Sequence, residues 1–95
     1  MANIEICGTI EQRPRVFEER PYYSTVSLRT DSGTLIEVFL LTTTVVCDQA
    51  RFCAGRRLAL TGGEQQVAPG VEGQKDYIRY WPDTVRVEKE PAYLF

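Results

Sequence analysis

Histidine is absent from the 95 residues, and with it goes the commonest general base and metal ligand. A nucleophile activated by histidine is therefore excluded, as is a Cys/His zinc set. Cysteine is scarce: Cys7, Cys47 and Cys53 are odd in number and none stands in a C-x-x-C arrangement, so reduced, partly buried thiols are expected. Long apolar runs are missing too. The stretch from Met1 to Gly8 is short and carries Glu5, and nothing approaches a signal h-region or a membrane span, which predicts a cytoplasmic protein with no membrane partner. There is no Gly-Lys phosphate cradle and no recognisable pair of carboxylates, so a non-enzymatic protein without a cofactor is expected.

What is present is ordinary for a folded chain: 43% hydrophobic and 25% charged residues, enough for one small core. The sequence reads as one domain over residues 1–90 and a C-terminal tail over 91–95. The net charge of -2 and pI near 5.1 argue mildly against a nucleic-acid partner, so local distribution decides. Nine of the eleven basic residues are Arg, whose planar head stacks on rings and forks onto phosphate. Four of them crowd into "RPRVFEERPYYSTVSLRT", Arg13 to Thr30, with three aromatic residues.

Alternation of Ile4, Ile6, Gly8 and Ile10 with polar neighbours predicts strand one. Residues 12 to 21, broken by Pro14 and Pro21, read as an extended loop or a curled strand extension. Strand two is predicted over roughly Tyr22 to Thr30 and strand three over roughly Thr34 to Leu41, joined by Asp31-Ser32-Gly33. Pairing Thr30 with Thr34 sets Leu28, Val26 and Ser24 opposite Ile36, Val38 and Leu40 on the inner face. The outer face then shows Arg29 beside Leu35, Ser27 beside Glu37, Thr25 beside Phe39 and Tyr23 beside Leu41. In "VVCDQARFCAG", Val46, Ala50 and Cys53 share one side at helical spacing before Gly55, which predicts a helix of two or three turns. Strand four is "RRLALTGG", with Leu58 and Leu60 inward and Arg57 and Thr61 outward. Residues 64 to 76 read as a long mobile loop, and "YIRYWPDTVRVE" as strand five, kinked at Trp81-Pro82.

Three strands, a short helix and two strands, with a basic first loop and a long fourth loop, predict an all-β fold: a five-stranded OB-fold Greek-key barrel with one short helix between strands three and four. SH3-like barrels are the rival, and they lack that helix. The stretch "ICGTIEQRPR", with Gly8 and Pro14, is similar to the opening strand of bacterial single-stranded DNA-binding proteins and of primosomal replication protein N. "CDQARFCAGRRLALTGG" likewise resembles that family's helix, glycine turn and strand four, at Ala50, Gly55, Leu58, Leu60 and Gly62. The resemblance implies single-strand binding, with Tyr23, Phe39 and Trp81 in place of the family's binding aromatics.

Sequence-independent binding of a single strand needs ring faces for the bases and cations for the phosphates. The candidate contacts are Arg13, Arg15, Arg20, Tyr22, Tyr23, Arg29, Phe39, Arg57, Tyr77, Arg79 and Trp81. Each has a plainer reading: Tyr22 and Phe39 as core or dimer-contact rings, the loop arginines as a solvated surface neutralised by Glu18 and Glu19, and "YIRYW" as a packed last strand. The acidic residues Glu5, Asp48, Asp83, Glu88 and Glu90 are expected away from the groove. Expected partners are single-stranded DNA or RNA, a second copy in a homodimer through Leu35, Phe39 and Leu41, and a protein docking on the acidic-then-apolar tail. An OB-fold protein-interaction subunit without strong nucleic-acid affinity is the alternative.

Overall fold

The computed structural model describes residues 4–47 and 49–88, together with the backbone of 93–94. Its elements run β1 (Glu5–Val16), β2 (Tyr23–Thr30), β3 (Leu35–Leu41), α1 (Thr42–Cys47), β4 (Arg57–Thr61), β5 (Glu64–Ala68), β6 (Tyr77–Trp81), β7 (Thr84–Val87) and β8 (Tyr93–Leu94). They form one sheet in the order β5-β6-β3-β2-β1-β4-β7-β8. Among the described residues the fold is therefore mostly β with one short helix, and the five expected strands become eight.

The difference has a local cause. The fourth strand does not stop at Gly62-Gly63 but bends there, and the fifth bends opposite it at Pro82-Asp83. One long hairpin is thus split into two paired halves, β4 with β7 and β5 with β6. Gly63 takes φ +80, and its amide donates to the Asp83 carboxylate at 3.0 Å, which pins the corner. The halves lie toward opposite ends of the sheet order, and the chain running through the corner joins them, so the sheet wraps round its core although its end strands are not hydrogen-bonded to each other. Residues 64–68, expected in a mobile loop, are strand because each pairs with a partner from Trp81 back to Tyr77.

The β2/β3 register is the predicted one at every pair, from Tyr23 opposite Leu41 to Arg29 opposite Leu35. Gly33 closes the turn at φ +91, as a three-residue hairpin requires. β1 is the curled extension: its pairing with β2 shifts register between Ile10 and Gln12 and again before Arg15, which lets a 12-residue strand turn over the sheet. Ile10, Val26, Leu28, Ile36, Val38, Leu40, Leu58, Leu60, Tyr80, Val85 and Val87 pack as one core on the inner face. Removing one of these leucine side chains costs about 2–5 kcal/mol.

The helix departs from expectation. It covers Thr42–Cys47, and residues 49–55 are turns and bends, with Asp48 outside the described residues. Val45 and Phe52 are buried, whereas Val46 is 58% exposed and Ala50 and Cys53 are also exposed. A helix this short has no stability of its own, so packing decides, and the large Phe52 ring takes the core position that small residues at helical spacing had suggested. Thr42 anchors the helix start by donating to the Pro21 carbonyl at 2.7 Å and meeting Ser24 Oγ at 3.1 Å. The three cysteines are free, with Cys47 and Cys53 exposed rather than partly buried. Leu94 and Tyr93 pair with Thr84 and Val85, so this part of the tail lies along β7; 89–92 and 95 lie outside the described residues.

Candidate nucleic-acid interface

Strand geometry gathers one aromatic surface on the outer face of β2, β3 and β6. Phe39 lies opposite Thr25, and parallel pairing sets Glu37 beside Arg79, so Tyr77, Arg79 and Trp81 share that face with Phe39. The turn over 17–22 folds across one end, held by Phe17 N–H to the Tyr23 carbonyl at 2.9 Å and Tyr23 N–H to the Arg20 carbonyl at 3.0 Å. Phe17 thereby meets Phe39 edge-on at 5.2 Å between centroids. Trp81 stacks on Phe39 at 4.5 Å and 15°, and Tyr23 approaches it edge-on at 6.2 Å. These rings leave Phe39 only 3% exposed. Tyr22, edge-on to Tyr23, is 63% exposed.

Arg79 reaches into this cluster. Its guanidinium carbon lies 5.4 Å from the Tyr77 ring centroid, 5.9 Å from Phe39 and 6.0 Å from Phe17. Its Nη2 donates to Tyr77 Oη at 2.8 Å, and its Nε stands 3.4 Å from Glu37 Oε1 with neither atom in a formed hydrogen bond. Arg79 is thus a neutralised cation held by rings.

A groove of about 740 Å³ runs over the surface, lined by Phe17, Arg20, Tyr22, Tyr23, Phe39, Leu41, Arg79 and Trp81, with Glu19, Glu64 and Asp83 at its edges. A second groove of about 1020 Å³ adjoins it across Phe17 and Glu19, between the β1 extension that carries Arg13 and Arg15 and the helix side at Val46, Gln49 and Cys53. Arg13, Arg15 and Arg20 form no ion pair among the described residues.

Eight candidate residues line the two grooves: Arg13 and Arg15 at one, and Arg20, Tyr22, Tyr23, Phe39, Arg79 and Trp81 at the other. Phe39 lies in the groove floor, largely covered, and Tyr77 reaches the cluster through Arg79. Arg29 and Arg57 stand elsewhere, flanking Thr9 of β1 on either side. Arg29 is held by Glu11 at 2.8 Å and by the Gly33 carbonyl at 3.0 Å. Arg57 is held by Asp31 and Glu88, and these hydrogen bonds push its pKa far up while lowering that of Asp31. Asp83, expected away from the groove, lines it, because the corner needs its carboxylate at Gly63. Glu88 does lie away, and Asp48 and Glu90 fall outside the described residues. Phe17, Glu37 and Glu64 were not among the candidates. Phe17 had a signal, as the sole aromatic residue inside the basic loop.

No protein-family model matches the chain, and no curated protein sequence does. Among solved structures, the chain is similar to the crystal structure of mitochondrial single-stranded DNA-binding proteins from S. cerevisiae, Rim1, with a TM-score of 0.60 and 11% identity over 95% of this chain and 97% of that one. Such a likeness shows a shared fold, an OB-like β-structure with a short helix, in agreement with the expected class. No helix among the described residues is long and apolar enough to cross a membrane.

Proposed function

We propose that this protein is a non-enzymatic single-stranded nucleic-acid-binding module, with DNA as its partner in replication, repair or mobile-element DNA processing. The observation that carries the reading is the groove in which Tyr22 and Trp81 offer ring surface beside Arg20, which forms no ion pair among the described residues. Stacking of bases is worth ~1–3 kcal/mol each, and it tolerates any base because every base has a π face. The fold shared with a single-stranded DNA-binding protein supports the same partner class. Of the candidate arginines, Arg13, Arg15 and Arg20 serve the phosphates. Titrating labelled dT and rU oligomers of about thirty nucleotides at two salt concentrations tests the reading. Binding that weakens with salt supports it, and no binding at low salt overturns it.

A second reading has its own support. Glu19, Glu64 and Asp83 line the groove against Arg20 and an Arg79 already paired with Glu37. An acidic, aromatic groove suits a basic peptide of another protein, and a chain silent toward oligonucleotides but retained by an arginine-rich peptide would establish that role. Self-association belongs to our proposal through Leu35, which is 46% exposed, since Phe39 is covered within its own chain. Light scattering that gives only the 10.8 kDa mass at high micromolar concentration removes it.

A further inference from the structure

Two rings at the centre of the groove have different jobs. Phe39 is 3% exposed, so a base cannot reach its faces without unpacking Phe17, Tyr23 or Trp81. Trp81 is half-buried; it gives one face to Phe39 at 4.5 Å and 15° and lines the groove with the rest. Trp81 ends β6 immediately before Pro82, and its carbonyl is packed against Gly63, so its backbone is fixed by the corner. Its side chain is fixed by Phe39.

We infer that Trp81 is the platform on which a base stacks and that Phe39 is a positioning residue, which acts on the ligand only by holding the indole in place. This deepens the reading of the groove as a single-strand site and rests on it. Phe39 itself also meets the Arg79 guanidinium, 5.9 Å from its ring centroid, and Phe17 in a T-shaped contact at 5.2 Å, so the indole lies on a packed support. A platform already in its bound orientation binds more tightly than a free one, because its rotamer entropy is not lost on binding. Thus Phe39 contributes affinity without contact.

Trp81 is the single tryptophan of the chain, so its emission reports on both halves of the inference. The experiment titrates a labelled dT oligomer with the full chain, reading affinity from anisotropy in every variant and indole emission wherever Trp81 is retained, and compares wild type with Phe39→Leu, Trp81→Leu and the double variant; Phe39→Met, whose unbranched side chain adapts to an irregular space, serves if the leucine variant folds poorly. Expected are quenching of wild-type emission on binding and a loss of about tenfold or more for Trp81→Leu. Phe39→Leu is expected to weaken binding several-fold and to make the indole of the free protein more accessible to acrylamide. The double variant should bind no more weakly than Trp81→Leu alone, since a residue that acts through the indole has nothing left to do without it. Additive losses would mean that Phe39 meets the ligand itself, and wild-type affinity in folded Phe39→Leu or Phe39→Met would mean that it does not hold the platform. Either result overturns the inference while leaving the binding function intact. A wild-type chain that binds no oligomer overturns the function and the platform with it, whatever the acrylamide result.

Discussion

Arg57 forks onto Asp31 through two parallel hydrogen bonds of 2.9 Å, Nη1 to Oδ1 and Nη2 to Oδ2, while its Nε donates to Glu88 Oε2 at 2.9 Å. The guanidinium ties the β2/β3 turn to β4 and the end of β7, so its donors are engaged within the fold as a clamp. Arg57→Gln is expected to leave oligonucleotide affinity within twofold and to lower the urea midpoint at neutral pH. The hydrogen bonds hold Asp31 below its ordinary value of 3.8. Their contribution is present above that value and is lost as pH falls through the lowered one. The gap between wild type and variant should therefore narrow from near pH 7 to near pH 3, as urea melts at the two pH values would show.

The corner at Gly63 predicts a fold-level effect. With φ at +80, any side chain is strained there, and a Cβ would fall on the Trp81 carbonyl oxygen. Backbone cannot retreat as a flexible side chain can, so Gly63→Ala should cost roughly 2–4 kcal/mol. Because the same corner carries Trp81, oligonucleotide binding should suffer too. A variant that melts as wild type does would show that the corner tolerates an L residue.

Tyr80 gives the alkaline limb. Its ring is fully buried, its hydroxyl donates to the Gly62 carbonyl at 2.5 Å, and burial, aided by the Asp83 charge, pushes its pKa up from 10 to about 12. Below pH 10 the phenol is protonated in both states, so the stabilisation is complete. Between 10 and 12 the unfolded chain loses the proton first, and stability falls as pH rises. Tyr80→Phe should lower stability at neutral pH by about 1–3 kcal/mol, through the lost hydrogen bond and the carbonyl left unpaired. It should also flatten this limb, as urea melts between pH 9 and 12 would register.

How much of this was legible depends on the sequence distance over which each feature is decided. The β2/β3 register follows from nineteen consecutive residues, Tyr23 to Leu41, with a glycine at the turn, all visible in order. The fate of residues 64–68 depended on a partner strand beyond an eight-residue connection, and their polar composition concealed it. In the helical segment, Val46, Ala50 and Cys53 matched the period, but burial of Phe52 is a tertiary matter. The clamps on Arg29 and Arg57 join residues 18, 26 and 31 apart, so a reading by type alone counted both as free cations. The aromatic face was foreseen at Tyr23, Phe39 and Trp81, whereas their division into covered and open rings depended on how Phe17 folds over them.

The division between clamped and free arginines sets the salt dependence. A single strand releases counterions in proportion to the phosphates it gives up to cations, with a slope of about -0.7 per contact in log affinity against log salt. Arg29, Arg57 and Arg79 are engaged with carboxylates. A phosphate that displaced one of these partners would exchange one anion for another. Arg13, Arg15 and Arg20 form no ion pair among the described residues, and they rim the two adjoining grooves on the same β1 extension and turn. Replacing all three with Gln should thus reduce the slope by about 2, whereas Arg29→Gln should leave it unchanged. Anisotropy titrations of a labelled dT oligomer between about 50 and 200 mM salt measure both slopes. An unchanged slope in the triple variant would move the phosphate path off the β1 extension, and a reduced slope in Arg29→Gln would mean that its bond to Glu11 opens for the ligand.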